Sequence, residues 1–182
     1  TDGGWQAPVI VMITCGGYRP GLGPFHASTL EAIAAHTPGV DVFMPSTAGD
    51  AAGLLQAAFR SQRPTLFFYP KNCLNDRENA TSSDVSRQLV PIGRARTVQA
   101  GNHITMVGWG NTVPLCVKAA KPLEAEGVEP EIIDLRSLVP WDIDAVVASA
   151  EKTGRILVAH EDTHTAGFGA EVVATVSERA RV

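Results

Sequence analysis

The sequence predicts an α/β protein made of two mostly parallel, three-layer α/β units. Three observations carry this. Short apolar runs alternate with amphipathic helical patterns along nearly the whole chain. The first run, Pro8-Val9-Ile10-Val11-Met12-Ile13-Thr14, is apolar throughout, the pattern of a strand covered on both faces in a parallel sheet. A polar, aperiodic stretch from Lys71 to about Gln88 separates two such series and reads as an inter-domain linker. The units are placed at 1–85 and 90–182.

Taken in order, the first strand runs into Gly16-Gly17-Tyr18-Arg19-Pro20-Gly21-Leu22-Gly23-Pro24-Phe25-His26. Ser28 with Glu31 has the spacing of a capping box for a helix carrying Leu30, Ile33 and Ala34, ended by His36-Thr37-Pro38-Gly39. Val40–Met44 is a short strand. Thr47 and Asp50 start a second helix, with Ala51, Leu54, Leu55, Ala58 and Phe59 as its inward stripe, and Pro64 stops it. Thr65–Tyr69 is the third strand. Three parallel strands are few where a sheet of ~5–6 is usual, so the first unit looks like the rear of a larger domain.

In the second unit, Gly93–Val98 and His103–Trp109 are strands. Asn111 caps a helix with Val113, Cys116, Val117, Ala120 and Leu123 inward, kinked near its end by Pro122. Pro130–Leu135 is a strand, and Asp142 caps a helix carrying Ile143, Val146 and Val147. Arg155–Ala159 is a strand that delivers His160-Glu161-Asp162, and a glycine-rich turn enters a last helix from Ala170 to about Ala180.

Composition narrows the function. The 182 residues are 45% hydrophobic and 19% charged with a net charge of -4, which does not suggest nucleic acid or an anionic membrane as partner. No run approaches the ~18 apolar residues of a membrane span. The N-terminal residues lack a secretory pattern, and the absence of an initiator Met suggests a fragment. Cys15, Cys73 and Cys116 have no metal-ligand spacing and are expected to be passive thiols of a reducing compartment, Cys15 keeping some chance of a role by its place at the loop. The expected location is cytoplasmic, or the mitochondrial matrix in a eukaryote.

The leading candidate for chemistry is His26. Ligands of open α/β sheets sit beyond the carboxyl ends of strands, and an imidazole titrating near neutrality can give or take a proton there. Gly16, Gly17, Gly21 and Gly23 suit turns more than an anion cradle. Tyr18 and Arg19 face either an acidic surface or solvent. His36 fits a helix end. His160, Glu161 and Asp162 resemble a ligand cluster, but consecutive strand side chains point to opposite faces, so a structural or interface use is expected and no metal site is assigned. Glu171 suits the start of the last helix.

These residues carry a resemblance. Gly21-Leu22-Gly23-Pro24-Phe25-His26, Glu31–Val40, Val42–Thr47, Ile133–Asp142, Lys152–Val158 and His160–Glu171 occur in the order and spacing of the beta subunit of thiamine-diphosphate-dependent 2-oxoacid dehydrogenases. That subunit belongs to the decarboxylating component of pyruvate and branched-chain complexes, in the transketolase superfamily. The resemblance implies the rear part of a transketolase-like pyrimidine-binding domain followed by a transketolase C-terminal-like domain, cut short at both ends. It implies an oxidoreductase that decarboxylates a 2-oxo acid and transfers the acyl group to lipoyl-lysine. The implied cofactor is thiamine diphosphate with magnesium, bound mainly by a partner chain. The implied partners are an alpha subunit, a second beta subunit and a dihydrolipoyl acyltransferase core with its lipoyl domain.

His26 matches the family's active-site histidine. The family's usual Ser-Gln after it is replaced by Ala27-Ser28. The acidic and aromatic residues that meet the aminopyrimidine in the family lie upstream of Thr1, so no cofactor-binding residue is assigned here and the chain alone is expected to be inactive. The family's potassium loop matches Ala58, Ser61 and Arg63; an arginine is a poor neighbour for a cation, so potassium is not expected to persist. Two other readings are a non-catalytic assembly fragment and a relative of 1-deoxyxylulose-5-phosphate synthase or transketolase.

Overall fold

A computed structural model describes residues 4–74 and 77–181. Thr1–Gly3, Asn75 and Asp76 in the middle of the predicted linker, and Val182 lie outside the described residues. The first series is β1 (Ile10–Cys15), α1 (Gly23–Ala27), α2 (Glu31–Ala35), β2 (Asp41–Phe43), α3 (Ala48–Arg60) and β3 (Thr65–Pro70). The second is β4 (Arg96–Gln99), β5 (Ile104–Gly108), α4 (Thr112–Ala125), β6 (Pro130–Asp134), β7 (Ser137–Val139), α5 (Ile143–Thr153), β8 (Ile156–Val158) and α6 (Phe168–Arg179).

Two four-stranded sheets result, ordered β1-β3-β2-β7 and β4-β6-β5-β8. The strand pairs β1/β3, β3/β2, β6/β5 and β5/β8 are parallel, as the α/β alternation requires. Two pairs are antiparallel: β4 on β6, and β7 on β2. The second of these crosses between the halves. Arg136, at φ 57, turns the chain sharply after β6 and sends Ser137–Val139 to the edge of the first sheet.

The halves share one core. Cys15, Val42, Met44 and Phe68 from the first sheet pack in the same buried cluster as Val107, Trp109, Ile133 and Val172 from the second half. A buried ionic network reinforces the seam. Arg136 Nη1 donates to Asp50 Oδ1 at 2.7 Å, and its Nη2 donates to the carbonyls of Arg94 and Ala95 at 2.8 and 3.0 Å. Arg96 bridges Asp50 and Asp134 at 3.1 and 3.2 Å, and Ser46 Oγ donates to Asp134. Burial pushes the Asp134 carboxyl up to about 6, against the opposing pull of Ser46 and Arg96.

Several local expectations hold. Thr47 Oγ1 accepts from the Asp50 amide at 3.1 Å and starts α3. Asp142 Oδ1 accepts from the Ala145 amide at 3.3 Å and starts α5. Others are corrected by tertiary placement. Strand β1 stands at a sheet edge, so Val11 and Met12 are 45% and 52% exposed instead of covered on both faces. Phe59 lies off the buried stripe of α3 and is 75% exposed, whereas Leu54 and Ala58 are buried. Ser28 does not cap α2: its hydroxyl donates back to the Pro24 carbonyl, closing α1, and Glu31 turns into the core. Asn111 does not cap α4 by its side chain, which donates to Glu161 Oε1 at 2.9 Å. Helix α6 starts at Phe168, two residues before the predicted Ala170, because Phe168 packs edge-on against Trp109.

The stretch after Lys71 is more than a tether. Three single 3-10 turns, Lys71–Cys73, Arg77–Asn79 and Val85–Arg87, cross the surface of the first half. Gln56 of α3 holds the last of them, its Nε2 donating to the Gln88 carbonyl at 3.1 Å and to that of Val85.

Candidate functional site

Strands β1 and β3 pair so that Cys15 stands opposite Pro70. The residues following both strands therefore emerge side by side, at the carboxyl edge where a ligand of an open parallel sheet belongs. There, Thr14, Tyr18, Arg19, Leu22, His26, Lys71 and Leu74 line an open pocket of about 540 Å³. Three of these side chains are basic or imidazole, three are apolar or aromatic, and none is a carboxylate. His26 sits on the five-residue helix α1, which buries none of its residues, and the imidazole is exposed to the pocket.

The loop before His26 must bend tightly. Gly16 has φ 76, and a Cβ there would lie 2.9 Å from Glu161 Oε2. Glycine meets both demands. Two cations lie over the Tyr18 ring, Arg19 at 5.4 Å and Lys71 at 5.7 Å from its centroid. Cys15 ends β1 beneath this loop. Burial and the charges of Glu31 and Glu161 push its thiol up to about 12, so it is an inert thiol at neutral pH.

Under the loop stands a pillar that spans the two halves. Glu31, 1% exposed, accepts at Oε1 from the Trp109 indole N–H at 3.0 Å, while its Oε2 has no partner. Desolvation raises its carboxyl above the ordinary range; the Trp109 bond opposes this and the nearby Asp162 charge adds to it. The His160 ring stacks on Trp109, centroids 5.7 Å apart and planes 13° from parallel. Gly167 and Gly169 close over that ring, and a Cβ on either would come within 2.6 Å of it. Burial lowers the proton affinity of His160, with Asp162 opposing.

The cluster suggested by His160, Glu161 and Asp162 is therefore dispersed. His160 packs on Trp109, Glu161 accepts from Asn111, and Asp162 Oδ2 accepts from the Ala32 amide at the start of α2 at 3.1 Å. Among the described residues, no group of three His, Cys, Asp or Glu is placed to hold a metal ion. His36 is exposed at the carboxyl end of α2. Glu171 lies in the first turn of α6. Ala58 is buried, Ser61 caps the end of α3, and Arg63 Nε lies 2.7 Å from Asp41 Oδ1, so a guanidinium carries the positive charge beside these positions.

Lys71 and Asn72, which fall in the predicted linker, belong with the loop of His26 instead. Lys71 Nζ donates to the His26 carbonyl and Asn72 Nδ2 donates to the Gly17 carbonyl at 2.7 Å. The signal that singled out the first loop, a polar residue just past the carboxyl end of a buried strand, was present after Pro70 as well.

Two domain models match the chain. Residues 1–76 match the transketolase pyrimidine-binding domain and residues 93–182 match the transketolase C-terminal domain. The chain is 40% identical over 158 residues to the mitochondrial 2-oxoisovalerate dehydrogenase subunit beta of Dictyostelium discoideum, covering 86% of this chain and 42% of that one. It is 41% identical over 177 residues to the pyruvate dehydrogenase E1 component subunit beta of Staphylococcus aureus, covering 96% and 53%. It thus spans about half the length of these relatives. Among solved structures, a split-gene transketolase described as an inactive beta4 tetramer superposes with a TM-score of 0.81 at 26% identity, over 97% of this chain and 56% of that one.

Proposed function

Because the chain belongs to the transketolase family, joining its pyrimidine-binding domain to its C-terminal domain, we propose that it is part of the beta subunit of a 2-oxoacid dehydrogenase. The reaction is oxidative decarboxylation of pyruvate or a branched-chain 2-oxo acid, with acyl transfer to lipoyl-lysine. The observation that carries this is 40–41% identity to such subunits over 86–96% of the chain. On this reading residues 1–85 are the partial pyrimidine-binding unit and residues 90–182 the C-terminal unit.

The pocket at His26 fits one side of thiamine diphosphate: Tyr18, Leu22 and Leu74 offer aromatic and apolar surface beside basic groups. The described residues offer no carboxylate cluster for magnesium, so magnesium and the diphosphate are assigned to a partner chain. When bound, the cofactor supplies the carbon nucleophile that labilises the carboxylate of a 2-oxo acid. His26 moves the proton: its imidazole reaches the pocket from an exposed, polar-anchored helix and can donate to or accept from a substrate oxygen. Arg19 and Lys71 provide a positive field for an anionic 2-oxo acid. The partners on this reading are an alpha subunit, a second beta subunit and an acyltransferase core with its lipoyl domain. On this reading the location is the cytoplasm, or the mitochondrial matrix in a eukaryote, as the name of the Dictyostelium relative suggests. Separately, no helix among the described residues is long and apolar enough to cross a membrane.

The test is reconstitution. A full-length chain carrying this sequence is co-expressed with an alpha subunit, supplied with thiamine diphosphate and magnesium, and assayed by 2-oxo-acid-dependent dye reduction. Turnover is expected with the wild type, and loss of about 10²-fold or more with His26→Ala, the usual scale for a positioned proton-transfer group. An assembled but inactive wild type overturns the function, and full activity of His26→Ala overturns the role of the histidine.

A further inference from the structure

Packing does not hold His26 in place. Helix α1 buries none of its residues, and the loop before it contains Gly16, Gly17 and Gly21. Such a segment keeps many backbone conformations unless polar contacts remove them. Three contacts do. The Gly16 amide donates to the Ser28 carbonyl at 3.3 Å and closes the base of the loop. Asn72 Nδ2 donates to the Gly17 carbonyl at 2.7 Å, and Lys71 Nζ donates to the carbonyl of His26 itself.

The origin of the last two contacts is topological. Pro70 pairs with Cys15 across the β1/β3 ladder, so the turn Lys71–Cys73 begins beside the place where the glycine loop begins. Successive side chains of a 3-10 turn diverge by roughly 120°. Lys71 and Asn72 therefore reach two separated points of one loop, its entry at Gly17 and its exit at His26. Tyr18 tightens the arrangement, because the Lys71 ammonium lies 5.7 Å from its ring centroid while also serving His26.

We infer that Lys71 and Asn72 are positioning residues, a two-point clamp from the end of β3 that fixes the loop carrying His26. Neither needs to touch the reacting atoms. The kinetic part of this inference rests on the proton-transfer reading of His26; the structural part does not. With the clamp intact, the imidazole is presented from a single backbone conformation. With one point released, the loop samples others, and catalysis falls in proportion to the time the histidine is misplaced.

The experiment uses the full-length chain assembled with its alpha partner and three variants. Lys71→Met keeps the side-chain stem and removes the donor. Asn72→Asp keeps the shape and removes the donor. Lys71→Arg keeps a donor. Amide hydrogen exchange is followed by mass spectrometry beside steady-state kinetics. Lys71→Met and Asn72→Asp are each expected to speed exchange in residues 16–28 by about tenfold, leaving β5 and β6 unchanged. Both are expected to lower kcat by about tenfold; in Asn72→Asp KM for the 2-oxo acid stays within about twofold, as misorientation predicts, whereas Lys71→Met also removes part of the positive field and raises KM. Lys71→Arg is expected to restore both readouts. Unchanged exchange in residues 16–28 in both donor-less variants overturns the clamp, as does faster exchange with undiminished kcat while His26→Ala is inactive. If His26→Ala retains full activity, the proton-transfer role of the histidine fails and the exchange result alone judges the clamp.

Discussion

Replacing Arg136 by Met tests the seam between the halves. The guanidinium is almost wholly buried and donates to Asp50 at 2.7 Å and to the Arg94 and Ala95 carbonyls at 2.8 and 3.0 Å. Methionine replaces the apolar stem, removes the guanidinium, and leaves the positive φ to another unbranched side chain. The change thus isolates the charge and its three hydrogen bonds. Removing one member of a buried ion pair costs ~3–5 kcal/mol, because the other charge stays buried. Here Asp50 keeps Arg96 at 3.1 Å and the Thr47 hydroxyl at 2.8 Å, so the low end, about 3 kcal/mol, is expected. For a chain of this size that corresponds to a fall in Tm of about 6–12 °C. Urea unfolding of wild type, Arg136→Met, Asp50→Asn and the double variant measures both the cost and the coupling. A loss under about 1 kcal/mol, or strict additivity of the two changes, would refute the reasoning.

Three further outcomes are expected. Burial raises the Asp134 carboxyl from 3.8 to about 6, so between those values the folded state binds more protons than the unfolded one, and this group's contribution to stability falls as pH rises. The stability of wild type relative to Asp134→Asn should therefore drop by about 2 kcal/mol between pH 4 and pH 7 in denaturant titrations; parallel curves would exclude it. Trp109→Phe strands the buried Glu31 carboxyl and should cost about 2–3 kcal/mol, whereas Glu31→Gln keeps an acceptor for the indole without the charge and should cost under about 1 kcal/mol; equal costs in urea midpoints would contradict the raised Glu31 carboxyl. Cys15, buried and pushed up to about 12, should resist iodoacetamide in the folded protein and react on unfolding, and labelling of the native thiol at pH 8 detected by mass spectrometry would disprove its inertness.

Local chemistry determined much of what was legible in the chain. Thr47 and Asp142 stand a fixed three residues from the amides they cap, so the starts of α3 and α5 could be read directly. The loop holding His26 follows a buried-type strand and precedes a helix, which placed it at a sheet's carboxyl edge. The family was legible too, because its motifs keep order and spacing along the chain, and the two domain matches agree with it. The same local rules misread Ser28 with Glu31, where a capping-box spacing met a stronger demand: Glu31 faces Trp109, 78 positions away, and its carboxyl is drawn into the core.

By itself, then, the sequence determined the order of elements, the α/β class and the family, and it offered His26 as the candidate on which the proposed proton transfer rests. The tertiary structure decided which strand became an edge, how β7 crossed to the first sheet, and which side chains meet across the seam. It also decided that Lys71 and Asn72, unremarkable in a polar stretch, reach back to the loop of His26. The physical reason is range. Caps, turns and periodicity act within a few residues, whereas Ser46 meets Asp134 across 88 positions and Asn72 meets Gly17 across 55. No local pattern encodes such pairings: parallel β1 and β3 set the loops of Gly17 and Asn72 side by side, and the crossing of β7 to β2 brings the end of β6 against Ser46.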